Sequence, residues 1–134
     1  MITLHPKRVF KVPIDAECIT PDIFTEKSAS EIAKLLVWEG NQKRTLGELF
    51  KIELQAKTES KEPTIQISGD LRRVRRIGAK MCTGKIVVDG DVGMHLGEEM
   101  KGGVITVAGS ADSWAGCMMK NGTIEVKGDA GDYV

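Results

Sequence analysis

The sequence predicts a mainly β protein: a right-handed single-stranded parallel β-helix over residues 63–134, preceded by a small α+β segment over residues 1–62. Three observations predict it. Ile86, Ile105 and Ile124 recur at a spacing of 19 residues, and Gly78, Gly97 and Gly116, Met81, Met100 and Met119, and Gly90, Gly109 and Gly128 keep the same spacing. Within each unit, Ile and Val alternate with Gln66, Val87, Thr106 or Glu125, the period-2 pattern of a strand with one buried face. Only Gly40 and Gly47 of the 15 glycines precede residue 63, whereas Phe10, Phe24, Trp38 and Phe50 all do, so the two parts differ in composition.

A repeat of this length with glycines in fixed places is a solenoid signature, each unit burying its apolar face against the next. Such a unit is too short for a two-helix repeat, and its glycines would weaken helices by up to roughly 1 kcal/mol each. One β-helix coil per unit is the remaining solution, and parallel strands in one sheet connect right-handed. Equivalent residues then stack about 4.8 Å apart. The methionine ladder fills uneven interior space, and the glycine ladders mark corners needing positive φ or close approach. Gly69 lies 21 residues before Gly90, so the first unit is longer by two, between Gly69 and Gly78. The chain stops at Val134 part-way through a fourth unit, which reads as a truncated end.

Before the repeats, Ile2-Thr3-Leu4 and Val9 to Ile14 alternate like strands. Thr20-Pro21-Asp22 fits a helix start, with threonine as N-cap and proline at the first helical position. Ser28-Ala29-Ser30-Glu31 has the form of a capping box. It introduces an amphipathic helix through Ile32, Leu35 and Leu36 that should end near Trp38, before Gly40-Asn41. Leu46, Leu49 and Phe50 follow, then a short strand with Ile52 and Leu54. Lys57 to Pro63 reads as the linker to the first coil.

Lysine plus arginine equal aspartate plus glutamate at 19 each, which argues against a nucleic-acid or membrane-surface field. No segment has the length and apolarity of a membrane span, and no cleavable leader is visible, so a soluble, cytoplasmic protein is expected. Cys18, Cys82 and Cys117 lack metal-ligand spacing and read as free thiols, the latter two semi-buried in the core.

No catalytic, cofactor-binding or metal constellation emerges. Gly90 to Gly97 superficially resembles a phosphate loop, but lacks both the dinucleotide fingerprint and the Gly-Lys-Ser/Thr ending. Asp70, Asp91 and Asp129, with Ser110, form a polar ladder suited to turn hydrogen bonds, with calcium as the sharper alternative. His5 and His95 have no nameable partner set. The most unusual charge feature is Arg72-Arg73-Val74-Arg75-Arg76, in the lengthened loop of the first coil. Arg72, Arg73, Arg75 and Arg76 could dock an acidic partner or polyanionic ligand through bidentate pairing, or could form a solvated loop balancing nearby acids.

The run Ile86 to Gly103, with its Gly-Asp-x-Gly and Gly-x-x-Met-x-x-Gly elements, resembles the glycine-motif β-helix family that includes the glutamate synthase large subunit and the C subunit of formylmethanofuran dehydrogenase. Ile19 to Phe24, Glu39-Gly40-Asn41 and Leu46 to Phe50 resemble the N-terminal part of the latter. The resemblance implies a non-catalytic structural subunit of a tungsten- or molybdenum-dependent complex that reduces CO2 and attaches it to methanofuran as a formyl group, reversibly, in methanogenesis. It further implies that the tungsten or molybdenum pterin, iron–sulfur clusters and a binuclear metal site belong to partner subunits. Two alternatives stay open: the C subunit of a bacterial formyltransferase/hydrolase complex, and a binding module whose arginine loop holds an acidic coenzyme or partner.

Overall fold

The computed structural model describes residues 2–7, 10–24, 28–54, 64–111, 115–116 and 118–128. The Lys57–Pro63 linker, Cys117, Asp129 and the C-terminal residues fall outside them. The described chain is mainly β with three short helices. In order it runs β1 (Ile2–Pro6), β2 (Ile14–Asp15), α1 (Pro21–Phe24), α2 (Ala29–Ala33), β3 (Leu36–Glu39), β4 (Gln42–Thr45), α3 (Leu46–Leu49), β5 (Phe50–Leu54), β6 (Thr64–Ser68), β7 (Val74–Arg75), β8 (Lys85–Asp89), β9 (Val104–Val107) and β10 (Thr123–Val126).

Strands β6, β8, β9 and β10 pair in parallel, with Ile65 opposite Ile86, Ile86 opposite Ile105 and Ile105 opposite Ile124. Alternation sets the faces: Ile65, Ile67, Ile86, Val88, Ile105 and Val107 are fully buried, while Gln66, Val87 and Thr106 between them are partly exposed. Each such buried aliphatic side chain contributes about 1.5–3 kcal/mol relative to exposure. The chain turns away from this sheet and returns through isolated parallel bridges Leu71–Val92 and Val92–Ala111.

The N-terminal residues complete the sheet. β1 joins β6 in parallel, with Leu4 opposite Ile67, and β5 adds antiparallel to β1, giving the order β10-β9-β8-β6-β1-β5. Leu4, Phe24, Leu46, Phe50 and the interior Ile and Val residues belong to one hydrophobic cluster. α1 also stands in for a preceding unit. Gly97 N–H donates to Ile77 O and Gly116 N–H to Leu96 O; in the first unit, Gly78 N–H donates to Ile19 O. Likewise Lys101 and Lys120 donate to Met81 O and Met100 O, whereas Cys82 N–H finds the Asp22 carboxylate at 2.7 Å.

Two helix starts follow local chemistry. Thr20 Oγ1 accepts from Ile23 N–H, and the Ser28–Glu31 capping box closes reciprocally. The expected helix extending toward Trp38 is not formed, however: α2 stops at Ala33, and Leu36 to Glu39 is strand β3. The β-preferring Val37 and Trp38 pair with β4 across Gly40-Asn41, a two-residue hairpin in which Gly40 takes φ +60°. Val9 of the alternating run Val9 to Ile14 lies outside the described residues; of Phe10 to Ile14, only Ile14 enters a strand, because β2 is bounded by its short partners β3 and β7. The second sheet has the order β4-β3-β2-β7.

The repeat positions divide by physical role. Gly78, Gly97 and Gly116 have φ of +74°, +64° and +71°, in the left-handed region. Gly109 and Gly128 have ordinary φ; there a Cβ would come within 2.6 Å of Gly90 O and 2.7 Å of Gly109 O, so backbone proximity excludes it. A Cβ at Gly90 would meet Gly69 O. Met81 and Met100 are fully buried, and Met119 is partly buried against the core.

Candidate functional site

The lengthened loop of the first unit contains strand β7. Leu71, Val74 and Ile77 are buried and anchor the arginine loop. Ile14 N–H donates to Arg73 O at 2.7 Å and Ala16 N–H to Arg75 O at 3.1 Å, making β7 the edge of the second sheet. On its other side, Gly93 N–H donates to Val74 O and Arg76 N–H to Met94 O. The loop is therefore hydrogen-bonded along both edges, with guanidinium groups projecting from a fixed backbone.

The four arginines have different surroundings. Arg72 grips Asp70 in a bidentate pair, Nε to Oδ1 at 2.9 Å and Nη2 to Oδ2 at 2.8 Å, and its N–H also donates to Oδ1. These hydrogen bonds hold the Asp70 carboxyl below its usual range and raise Arg72. Arg76, in the left-handed region at φ 62°, reaches Asp15 at 3.0 Å, Glu17 at 2.9 Å and Glu98 at 3.2 Å. Burial works to lower Arg76, but Asp15, Glu98 and Glu17 outweigh it and leave it raised. At Asp15 the balance reverses: burial pushes the carboxyl up by more than Arg76 pulls it down, and Glu17 adds to the rise. Arg73 and Arg75 are exposed and make no side-chain hydrogen bond or ion pair among the described residues. Arg75 stands opposite Asp15 in register.

The remaining sequence candidates are structural in their contacts. Asp70 Oδ1 accepts from Arg72 N–H two residues on, the turn bonding that short carboxylates supply, whereas Asp91 Oδ1 accepts from Ser110 N–H at 2.7 Å, a bond between successive units. His95, at φ 60°, places Nδ1 at 3.6 Å from Glu98 Oε2, and His5 lies within β1. Cys82 is exposed, which corrects its expected semi-buried position: it follows the buried Met81 in a loop outside any strand, where it and Thr83 both face outward. Cys18 packs against the core, and burial pushes its thiol up to about 12. Among the described residues no group of three or more His, Cys, Asp or Glu side chains could hold a metal ion.

One surface escaped the sequence reading. On β3, Val37 is fully buried, while its neighbours Leu36 and Trp38 are 59% and 43% exposed. Register sets Trp38 between Lys43 and Asp15 on one face of the second sheet, and Lys43 Nζ lies 5.6 Å from the Trp38 ring centroid. A cleft of about 350 Å³ opens beside them, lined by Asp15, Glu17, Leu36, Trp38 and Arg76. The signal was the β-preferring Leu-Val-Trp before a Gly-Asn turn, masked by the helical spacing of Ile32, Leu35 and Leu36.

No family model matches the chain. Among curated proteins, it is 50% identical over 94 residues to the C subunit of molybdenum-containing formylmethanofuran dehydrogenase 1 from Methanothermobacter marburgensis, covering 70% of this chain and 23% of that protein. The Methanosarcina barkeri counterpart is 45% identical over 95 residues, covering 71% and 32%. The chain is a relative of the formylmethanofuran dehydrogenase C subunits. The likeness extends to tungsten-containing forms: the C subunit of formylmethanofuran dehydrogenase 2 from Methanothermobacter wolfeii is 44% identical over 96 residues, covering 72% of this chain and 36% of that protein. A chain in the crystal structure of the formyltransferase/hydrolase complex from Methylorubrum extorquens, solved with methylofuran, superposes with a TM-score of 0.88 at 37% identity, over 98% of this chain and 48% of that one. Matched segments thus span 23% to 36% of these dehydrogenase C subunits. No helix of the described residues is long and apolar enough to cross a membrane.

Proposed function

We propose that this chain is part of the non-catalytic, structural C subunit of a formylmethanofuran dehydrogenase, the tungsten- or molybdenum-dependent complex that reduces CO2 and attaches it to methanofuran as a formyl group. The observation that carries the reading is identity of 44% to 50% to C subunits of both the tungsten and molybdenum enzymes. In this reading residues 63–134 form a right-handed β-helix of 19-residue coils, supported by the Ile86–Ile105–Ile124 register, and residues 1–62 form its N-terminal cap. The pterin metal, iron–sulfur clusters and binuclear site reside in partner subunits, and the assembly is cytoplasmic. Arg73 and Arg75 are the arginines left to contact an acidic partner, Arg72 and Arg76 being engaged within the chain.

The test is gentle purification of the complete native protein, identification of co-eluting chains by mass spectrometry, and assay for tungsten and molybdenum. Co-elution with metal and large redox subunits is the expected result, and elution alone overturns it. The superposition on the Methylorubrum extorquens complex supports a second reading, a formyltransferase/hydrolase subunit. A multi-subunit complex without tungsten or molybdenum selects that alternative.

A further inference from the structure

Of the five large hydrophobic residues most exposed among the described ones, Leu36, Trp38 and Ile23 line two adjoining clefts that share Glu17 and Leu36. An isolated exposed apolar side chain needs no explanation, but three along two adjoining clefts, with charged groups among them, call for one. The charge has a direction. Three carboxylates, Asp15, Glu17 and Glu98, share the single guanidinium of Arg76. Arg75, across from Asp15, makes no ion pair with it, and Asp15 Oδ1 accepts no hydrogen bond among the described residues. That oxygen is buried, so the acceptor within reach of a partner beside the indole is Glu17, whose side chain is 55% exposed. Lys43 already demonstrates what that ring attracts, sitting 5.6 Å from its centroid.

We infer that the outer face of β3 is a docking surface for a segment of a partner protein in the complex that carries an arginine or lysine next to an apolar side chain. The apolar side chain fills the depression between Leu36 and Ile23. The cation enters beside Trp38 and pairs with Glu17, whose carboxylate lines both clefts. An exposed tryptophan and leucine lining a cleft of about 350 Å³ together with charged groups supply the aromatic anchor and polar surround of an interface hot spot. This inference rests on the proposed place of the chain in a hetero-oligomeric complex, and gives that complex a contact separate from the exposed Arg73 and Arg75.

The experiment is co-expression of the complete protein with its companion dehydrogenase subunits, with Trp38 replaced by the photo-crosslinker benzoylphenylalanine and the cross-linked peptides mapped by mass spectrometry. The expected product joins position 38 to a partner segment with a basic residue beside an apolar one. In parallel, Leu36→Ser with Trp38→Ala weakens partner binding by at least about tenfold. Glu17→Gln weakens it severalfold at low salt, and the difference closes at high salt. An intact complex whose cross-link stays within this chain, joins a second copy of it, or lands on a segment without a basic residue overturns the inference while leaving the proposed function standing. An unsubstituted protein that fails to assemble with its companions removes both.

Discussion

Left-handed backbone at corner residues separates positions that demand glycine from positions that tolerate strain. At Gly97, φ is +64° and a Cβ would approach Ile124 Cδ1 to 2.6 Å, so Gly97→Ala combines strain with overpacking. A loss of about 1–3 kcal/mol is expected, read as a lowered midpoint in urea unfolding. The opposite change is expected at Met118, which takes φ 56° although 69% exposed, in step with Lys80 and Glu99 at φ 60° and 56°. Met118→Gly should raise the same midpoint by up to about 1 kcal/mol, because the strain it relieves has no packing to compensate it. Acid titration offers a second test at this scale. Asp70 is held below its ordinary value of 3.8 by Arg72, so its contribution is present above that pH and is lost as pH falls through the lower folded value. Asp70→Asn should melt slightly below the parent at pH 7 and converge with it well below pH 3.8. Asp15 runs the other way: its carboxyl is raised, so its contribution is greatest at low pH and declines as pH rises from 3.8 through the folded value.

Strand β7 lies in the lengthened loop of the first unit. It lets the second sheet run from the N-terminal hairpin into the repeats, and Arg76 at its end ties Asp15 and Glu17 to Glu98 of the following unit. Arg76→Ala should therefore cost roughly 1–2 kcal/mol, while Arg73→Ala, lacking a partner among the described residues, stays within about 0.5 kcal/mol. Thermal melts of the two variants side by side check the contrast. The methionine ladder sets an inward limit of the same kind. Met100 is fully buried, so Met100→Asp places a carboxylate without a partner in the interior and costs several kcal/mol. A variant that melts like the parent would show that this position can open to water. Element by element, legibility followed locality. The capping box at Ser28 and the turn at Gly40 were readable because their bonds close within a few residues. Strand β3 was misread because Leu35 and Leu36 fit a helix equally well, and only pairing with β4 decides between them.

A shared core has consequences for the whole molecule. β1 lies between β5 and β6, so the main sheet runs without a break from the N-terminal residues into the repeats. Leu4 and Ile105, on either side of the compositional change near residue 62, belong to the same buried cluster. One cooperative unfolding transition is expected, with Leu4→Ala and Ile105→Ala each lowering that transition by about 2–5 kcal/mol. Two transitions, each sensitive to one substitution, would divide the chain into independent folding units. The Asp22 carboxylate, which receives Cys82 N–H where later units use a backbone carbonyl, has the role of an end cap in this arrangement.

The sequence by itself determined the strand ladder and its register, because a fixed spacing of Ile, Gly and Met states the same local solution several times and stacking is its natural reading. It also carried the family resemblance, since the glycines and methionines that define the motif are those the geometry constrains most tightly. Tertiary structure alone decided which arginines are engaged: Asp15 and Glu17 meet Arg76 only when β2 pairs with β7, and Glu98 meets it only when the next unit stacks alongside. It alone exposed Leu36 and Trp38 as one surface. Alternation names the faces of a strand, but which face remains uncovered depends on what the rest of the fold packs against it.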